Sequence, residues 1–93
     1  PTVGNRIVFY HNGQGPMCLA FLDFLETIDY PLEEHINTEA GFWNSLQPLE
    51  QEFGRSEGVS ETFGYFPIIF VKTKACSGFN SAIGDAIRAL IAE

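Results

Sequence analysis

The order of apolar and polar positions divides the chain into alternating strand-like and helix-like segments. Residues 6–11 (RIVFYH) contain the unbroken apolar run Ile7, Val8, Phe9 and Tyr10, as expected of a strand covered on both faces. Asn12, Gly13 and Gly15 mark a loop, and Pro16 suits the first helical position, where a missing N–H costs nothing. From Pro16 to about Asp29 the period becomes helical. Met17, Phe21, Phe24, Leu25 and Ile28 share one face, with Asp23 and Glu26 opposite. Pro31 is expected to end that helix. Residues 32–37 (LEEHIN) alternate loosely and predict a second strand, at a sheet edge. Phe42, Leu46, Leu49 and Phe53 recur at i, i+4, i+7 and i+11, which predicts a second amphipathic helix, kinked or restarted at Pro48. Gly54 to Gly64 reads as a polar connection. Pro67 to Lys72 (PIIFVK) predicts a third strand, and residues 74–77 a short fourth one reached by a tight reversal. Asn80 or Ser81 is placed to cap a last helix with Ile83, Ile87, Leu90 and Ile91 as its inner stripe. The order is βαβαββα, an α/β arrangement of a sheet covered by helices.

Composition narrows the function classes. The 93 residues fit one domain, and 45% hydrophobic content supports a packed core. A net charge of −7 with only five Lys and Arg opposes a nucleic-acid partner, because phosphate binding needs cations. The same scarcity opposes attachment to an anionic membrane surface. No apolar run approaches the roughly 20 residues of a membrane span. No signal peptide is recognisable, and the missing initiator Met fits a trimmed N-terminus. Two cysteines, Cys18 and Cys76, do not make a disulfide framework; they fit a reducing compartment, and the expected location is the cytoplasm.

Three stretches then stand at telling positions: "GPMC" at Gly15–Cys18 after Tyr10, "YFPIIF" with Pro67 at the head of a strand, and "CSGFNS" before the last helix. In that order and spacing, over nearly the whole chain, they resemble the thioredoxin fold and, within it, the glutaredoxins. Those proteins have Cys-Pro-Tyr-Cys where Gly15, Pro16, Met17 and Cys18 stand, a cis-proline at the place of Pro67, and a Gly-Gly turn followed by acidic residues near Gly78, Asn80 and Ser81. The resemblance implies one thioredoxin-like domain over residues 1–93, with a mixed four-stranded sheet flanked by three helices. It also implies a cis Phe66–Pro67 bond that presents the backbone of Phe66 to glutathione or to an extended thiol-containing peptide or protein. "YHNGQGPM" is similar, more distantly, to the N-terminal domain of glutathione transferases. There a tyrosine at the place of Tyr10 activates the glutathione thiol, and a serine like Ser81 binds its glutamyl end. Transferases add an all-helical domain, for which these 93 residues leave no room.

The chemistry implied is incomplete. In glutaredoxins the attacking sulfur stands at position 15, where a helix N-terminus lowers its pKa, and here that residue is Gly15. The dithiol mechanism and the iron–sulfur role of some glutaredoxins are therefore absent. Gly15→Cys is expected to restore some activity. Cys18 is the candidate catalytic thiol; its alternative is a buried structural thiol beside Met17, Phe21, Leu22 and Leu25. Cys76 reads as a buried thiol, its alternatives being a regulatory thiol or a partner for Cys18. His11 could orient a ligand carboxylate or act as a base, but a histidine in a loop mouth is more often solvated, and His35 is expected to face water. Zinc on Cys18, Cys76, His11 and His35 lacks any pair at close ligand spacing. Gly13-Gln14-Gly15 lacks the Lys-Ser/Thr of a phosphate loop.

The expected function is that of a glutaredoxin-like protein lacking the N-terminal active-site Cys. It would bind glutathione or a thiol peptide weakly, with little or no dithiol oxidoreductase activity. Its ligand residues would be Tyr10, His11, Gly15, Pro16, Phe66, Pro67, Gly78, Asn80 and Ser81, with no cofactor. The alternatives are a Cys18-dependent, glutathione-dependent thiol transferase, and a non-catalytic interaction module using aromatic and acidic surface.

Overall fold

The run Ile7 to His11 forms β1 (Ile7–His11), and every residue in it is buried. Parallel β2 (Leu32–Ile36) lies on one side of it and antiparallel β4 (Ile68–Val71) on the other. A strand so placed has both faces covered, which is why its sequence is apolar without alternation. β4 reverses through Lys72 and Thr73 into antiparallel β5 (Lys74–Ser77). Lys72 takes φ +51°, the positive value that short hairpin turns favour. These findings come from a computed structural model that describes residues 1–93.

The sheet is mixed and five-stranded, in the order β2-β1-β4-β5-β3, rather than four-stranded. The additional strand, β3 (Glu57–Gly58), pairs parallel to β5 and comes from the polar connection. It is two residues long, too short to carry an apolar alternation. Backbone contacts hold it: the Val59 N–H donates to the Ser77 carbonyl at 3.0 Å. Gly58, at φ +93°, comes so close that a Cβ there would lie 2.7 Å from Ile83 Cδ1 and 3.1 Å from the Ser77 oxygen. Glycine permits that approach where a side chain would not.

Helices cover both faces. α1 (Pro16–Leu25) and α3 (Ser81–Ile91) pack Phe21, Leu25, Ile83 and Ile87 against Ile7 and Phe9 of β1. α2 (Phe42–Phe53) packs Phe42 and Leu46 against Val8, Tyr10 and Phe70 on the other face. Odd and even positions of β1 thus serve different layers, as the pleat requires.

One helix boundary differs from expectation, and at Pro48 the option of a restarted helix is not realised. α1 starts at Pro16 as predicted but ends at Leu25, not near Asp29. The Thr27 N–H and hydroxyl both donate to the Phe24 carbonyl, at 2.9 and 2.6 Å, and this local bonding competes with further helix. Pro31 is therefore not what stops it. α2 runs unbroken through Pro48. Pro48 and Asn44, whose carbonyl loses its usual donor, are both exposed, so water can satisfy that oxygen. At α3, Asn80 is the cap: its Oδ1 accepts from the Ile83 N–H at 2.9 Å. No helix is long and apolar enough to cross a membrane.

Candidate functional site

The three segments expected to form a groove meet at the start of α1. The Gly78 N–H donates to the Pro67 carbonyl at 2.9 Å. A Cβ built on Gly78 would lie 3.4 Å from Met17 Sδ, so the first turn of α1 is its direct neighbour. The Phe66–Pro67 bond is cis, as the resemblance implies.

Around that bond the backbone is satisfied except at one residue. The Ser77 hydroxyl donates to the Tyr65 carbonyl at 2.8 Å and receives the Tyr65 N–H at 3.0 Å. The N–H and carbonyl of Phe66 make no hydrogen bond within the chain. The ring of Phe66 packs near Phe42 (5.9 Å between centroids) and Trp43 (6.1 Å). Trp43 and Tyr65 are about half exposed beside it, at 54% and 52%. Val59 belongs to the same neighbourhood, against Gly78, and sequence reasoning missed it. It sits in a polar connection with no period to single it out.

The two helix starts contribute backbone donors. The first bonded N–H of α1 is that of Leu19, which donates to the Gly15 carbonyl at 3.2 Å, leaving those of Met17 and Cys18 without an acceptor in the chain. In α3 the N–H groups of Ser81 and Ala82 are likewise unbonded. Both ends favour an anion. The oxygen of Asn80 is committed to its cap, so only its amide nitrogen could meet a ligand, while the Ser81 hydroxyl is exposed and unbonded.

Gly15 is more than a position without sulfur. It precedes α1 at φ +80°, ψ +149°, a backbone region that side chains other than glycine's hardly enter. Space is not the obstacle, since a Cβ there meets nothing within 4 Å. A cysteine at this position would strain the loop backbone, so the expected gain of activity from Gly15→Cys carries a conformational cost.

Cys18 is buried, and its thiol donates to Asn12 Oδ1 at 3.4 Å, an oxygen that also receives the Gln14 N–H at 2.9 Å. Burial pushes the Cys18 pKa up, more than hydrogen bonding from the Asn12 backbone, distinct from the Oδ1 contact, lowers it. Burial pushes Cys76 up to about 11, with the Glu57 charge adding to the rise and Lys74 opposing it. Both cysteines are free. The attacking species in thiol chemistry is the thiolate, so neither group is poised near neutral pH. In the native protein at pH 7, both thiols are expected to react with an aromatic disulfide reagent at least ~10-fold more slowly than free cysteine. Guanidinium should release both together. A single fast thiol in the native state would revive the transferase alternative.

Tyr10 and His11 do not face the groove. Tyr10 lies in the core under α2; its hydroxyl donates to Ser45 Oγ at 3.1 Å, and burial raises its pKa. It is not placed to activate a thiol at α1. His11, expected to be solvated, is 3% exposed. Its Nδ1 accepts the Gly13 N–H at 3.0 Å, which makes Nε2 the donor to Glu34 Oε2 at 2.7 Å. With both nitrogens engaged it has none left for a ligand carboxylate.

His35 also departs from expectation. Its ring stacks on Tyr10, with centroids 4.5 Å apart and planes 9° apart. Nε2 meets Glu33 at 2.8 Å and Nδ1 meets Glu39 at 2.5 Å, while Glu33 also faces Arg6 at 3.6 Å. Burial would lower the His35 pKa; the hydrogen bonds and charges of Glu33 and Glu39 outweigh it and hold the value above the ordinary 6.5. A raised folded pKa means that the imidazolium stabilises fully below about pH 6.5 and loses that effect as pH rises through the folded value. Urea midpoints of the native chain should therefore fall between neutral and mildly alkaline pH. In His35→Gln that decline should shrink. An unchanged pH profile in the variant would show that His35 carries no such linkage.

A cleft of about 680 Å³ lies elsewhere, at the C-terminal end of α2 among Gln47, Glu50, Arg55 and Phe63. No group of three or more His, Cys, Asp or Glu side chains is placed to hold a metal ion. Comparisons of the chain with protein-family models, with curated proteins and with solved structures found no match.

Proposed function

We propose that the chain is a thioredoxin-like domain of glutaredoxin type which lacks the attacking sulfur and binds glutathione, or an extended thiol-containing peptide, weakly along the groove at Phe66. The observation that carries this reading is the unpaired backbone of Phe66 between residues whose own backbone is bonded. An extended ligand would add itself there as a short strand. Supporting it are the sheet order around β1, β4 and β5, the cis bond at Pro67, and the two helix starts that flank the site. The glutamyl carboxylate would accept from the first turn of α3 and the Ser81 hydroxyl. The glycyl carboxylate would meet water, since His11 is occupied and residues 10–18 contain no Lys or Arg.

Two anchors of three, against a net charge of −7, give an affinity on the order of millimolar, or roughly −4 kcal/mol. Turnover of glutathione mixed disulfides should stay near the uncatalysed background. Two free, buried thiols fit a reducing compartment such as the cytoplasm. Titration with reduced glutathione, followed by nuclear magnetic resonance, should move residues 12–18, 65–67 and 78–82 together, less so in Ser81→Ala. Millimolar glutathione that moves none of these segments would end the reading. The exposed rings of Trp43 and Tyr65 favour, as second reading, a non-catalytic module that takes a peptide side chain against them.

A further inference from the structure

We infer that the free edge of β2 is a docking strand for an extended segment of a partner protein, one that carries an apolar side chain flanked two residues away by Lys or Arg. This site is separate from the groove at Phe66 and stands without it.

The phase of the β1–β2 ladder decides which backbone groups are free. The Ile7 N–H donates to the Pro31 carbonyl at 2.9 Å, and the Asn37 N–H to the His11 carbonyl at 3.0 Å. In a parallel ladder alternate residues face the partner, so Pro31, Glu33, His35 and Asn37 point to β1. Leu32, Glu34 and Ile36 point away from the sheet. The Ile36 carbonyl is taken by the Glu39 N–H, and the remaining outward groups have no partner. The register is continuous, without a bulge, and the strand holds neither Lys nor Pro. The usual devices that protect a sheet edge are missing, apart from its carboxylates.

A cleft of about 380 Å³ opens beside this edge, on the face covered by α1. Phe9, Leu22, Leu25 and Leu32 line it, together with the exposed side chains of Glu26 and Glu34. The register pairs Ile7 with Leu32 and Phe9 with Glu34, so the side chains of Leu32 and Glu34 lie on that same face. Leu32 is 47% exposed and Ile36 is 36% exposed. A strand added to β2 would put every second side chain over this face. One apolar group would cover Leu32 and the cleft, and its neighbours two residues away would meet Glu26 and Glu34.

Charge selects the occupant. On the opposite face Glu33 and Glu39 are balanced by His35 and Arg6. On the cleft face no cation approaches Glu26, and Glu34 has only the imidazole of His11. A second copy of the chain would set Glu34 among these carboxylates and oppose two charges of −7, so a basic segment is favoured over self-pairing.

The probe is the peptide acetyl-Thr-Lys-Thr-Leu-Thr-Lys-Thr-amide, with Lys, Leu and Lys on one strand face. Its control is the fully N-methylated peptide, with the same charges and no backbone donors. Resonances of residues 22–26 and 32–36 should shift with the probe. Binding should weaken at least ~10-fold with the control and several-fold in the exposed-site variants Glu26→Gln and Leu32→Lys. Equal binding of the control would reduce the effect to bulk charge and overturn the proposal. So would shifts confined to residues 65–67 and 78–82, which would assign the peptide to the groove. Dimerisation of the chain alone, with β2 amides protected, would make the occupant a second copy instead.

Discussion

Gly78→Ala is expected to lower the stability of the protein by about 2–5 kcal/mol and to abolish the glutathione binding proposed above. Two costs combine. Gly78 sits at φ +83°, which an L side chain occupies at about 1–2 kcal/mol. The new Cβ would also lie 2.7 Å from Val59 Cβ and 2.8 Å from its Cγ2. Overpacking of that kind typically costs about 1–3 kcal/mol. Val59 cannot withdraw freely, because its N–H is bonded to the Ser77 carbonyl in the β3–β5 ladder. The functional consequence follows from the neighbouring bond: the Gly78 N–H holds the Pro67 carbonyl, and a shift there moves Phe66. Urea denaturation gives the stability, and glutathione titration the binding. Combining the change with Val59→Gly should recover the overpacking part and leave the backbone part, a coupling that a double-mutant cycle isolates. Strict additivity of the two changes would mean that β3 does not press on Gly78.

Phe21→Ala should cost about 3–5 kcal/mol, as loss of a fully buried aromatic ring does. Phe21 has no exposed surface and holds three rings together: Phe9 edge-on at 5.1 Å, Phe79 at 5.2 Å and Phe24 at 6.1 Å. Those rings come from β1, α1 and the approach to α3, so one truncation loosens the whole layer on that face. Domains of this size often have only about 5–15 kcal/mol in total. At about 4–8 °C per kcal/mol, the fall in Tm is on the order of 12–40 °C, readable by calorimetry. Phe24 provides the comparison. It is partly exposed under the Arg88 guanidinium at 4.8 Å, and Phe24→Ala should cost clearly less. Equal costs for the two would place the centre of this layer elsewhere.

Much of the architecture was legible in the residue pattern. The unbroken apolar run of β1, the loose alternation of β2, and the spacing of Phe42, Leu46, Leu49 and Phe53 each state which faces are covered. These patterns reflect burial itself, so they survive without knowledge of the partner. Local chemistry was equally readable at Pro16 and Asn80, where a missing donor and a capping oxygen mark helix starts within a single turn. The end of α1 was not, because Thr27 bonds back to Phe24 and so ends a helix whose apolar period continues to Ile28.

The candidate site divides the same way. Its three segments could be named from the family resemblance that their motifs carry, and they do meet. Which side chains serve it was decided by contacts distant in sequence. His11 is occupied by Glu34, 23 positions away, and Tyr10 by Ser45, 35 positions away. No local pattern encodes such pairs.

By itself the sequence determined the alternation of strands and helices, the central place of β1, the edge character of β2, and the absence of a sulfur at position 15. Each follows from the covalent identity or burial period of nearby residues. Only the tertiary structure decided that Gly15 lies in a backbone region that side chains hardly enter, that a fifth strand forms at Gly58, that Val59 closes on Gly78, and that the backbone of Phe66 stays unbonded between bonded neighbours. These outcomes depend on how separate segments share space and hydrogen bonds, and that sharing exists only once the chain has folded.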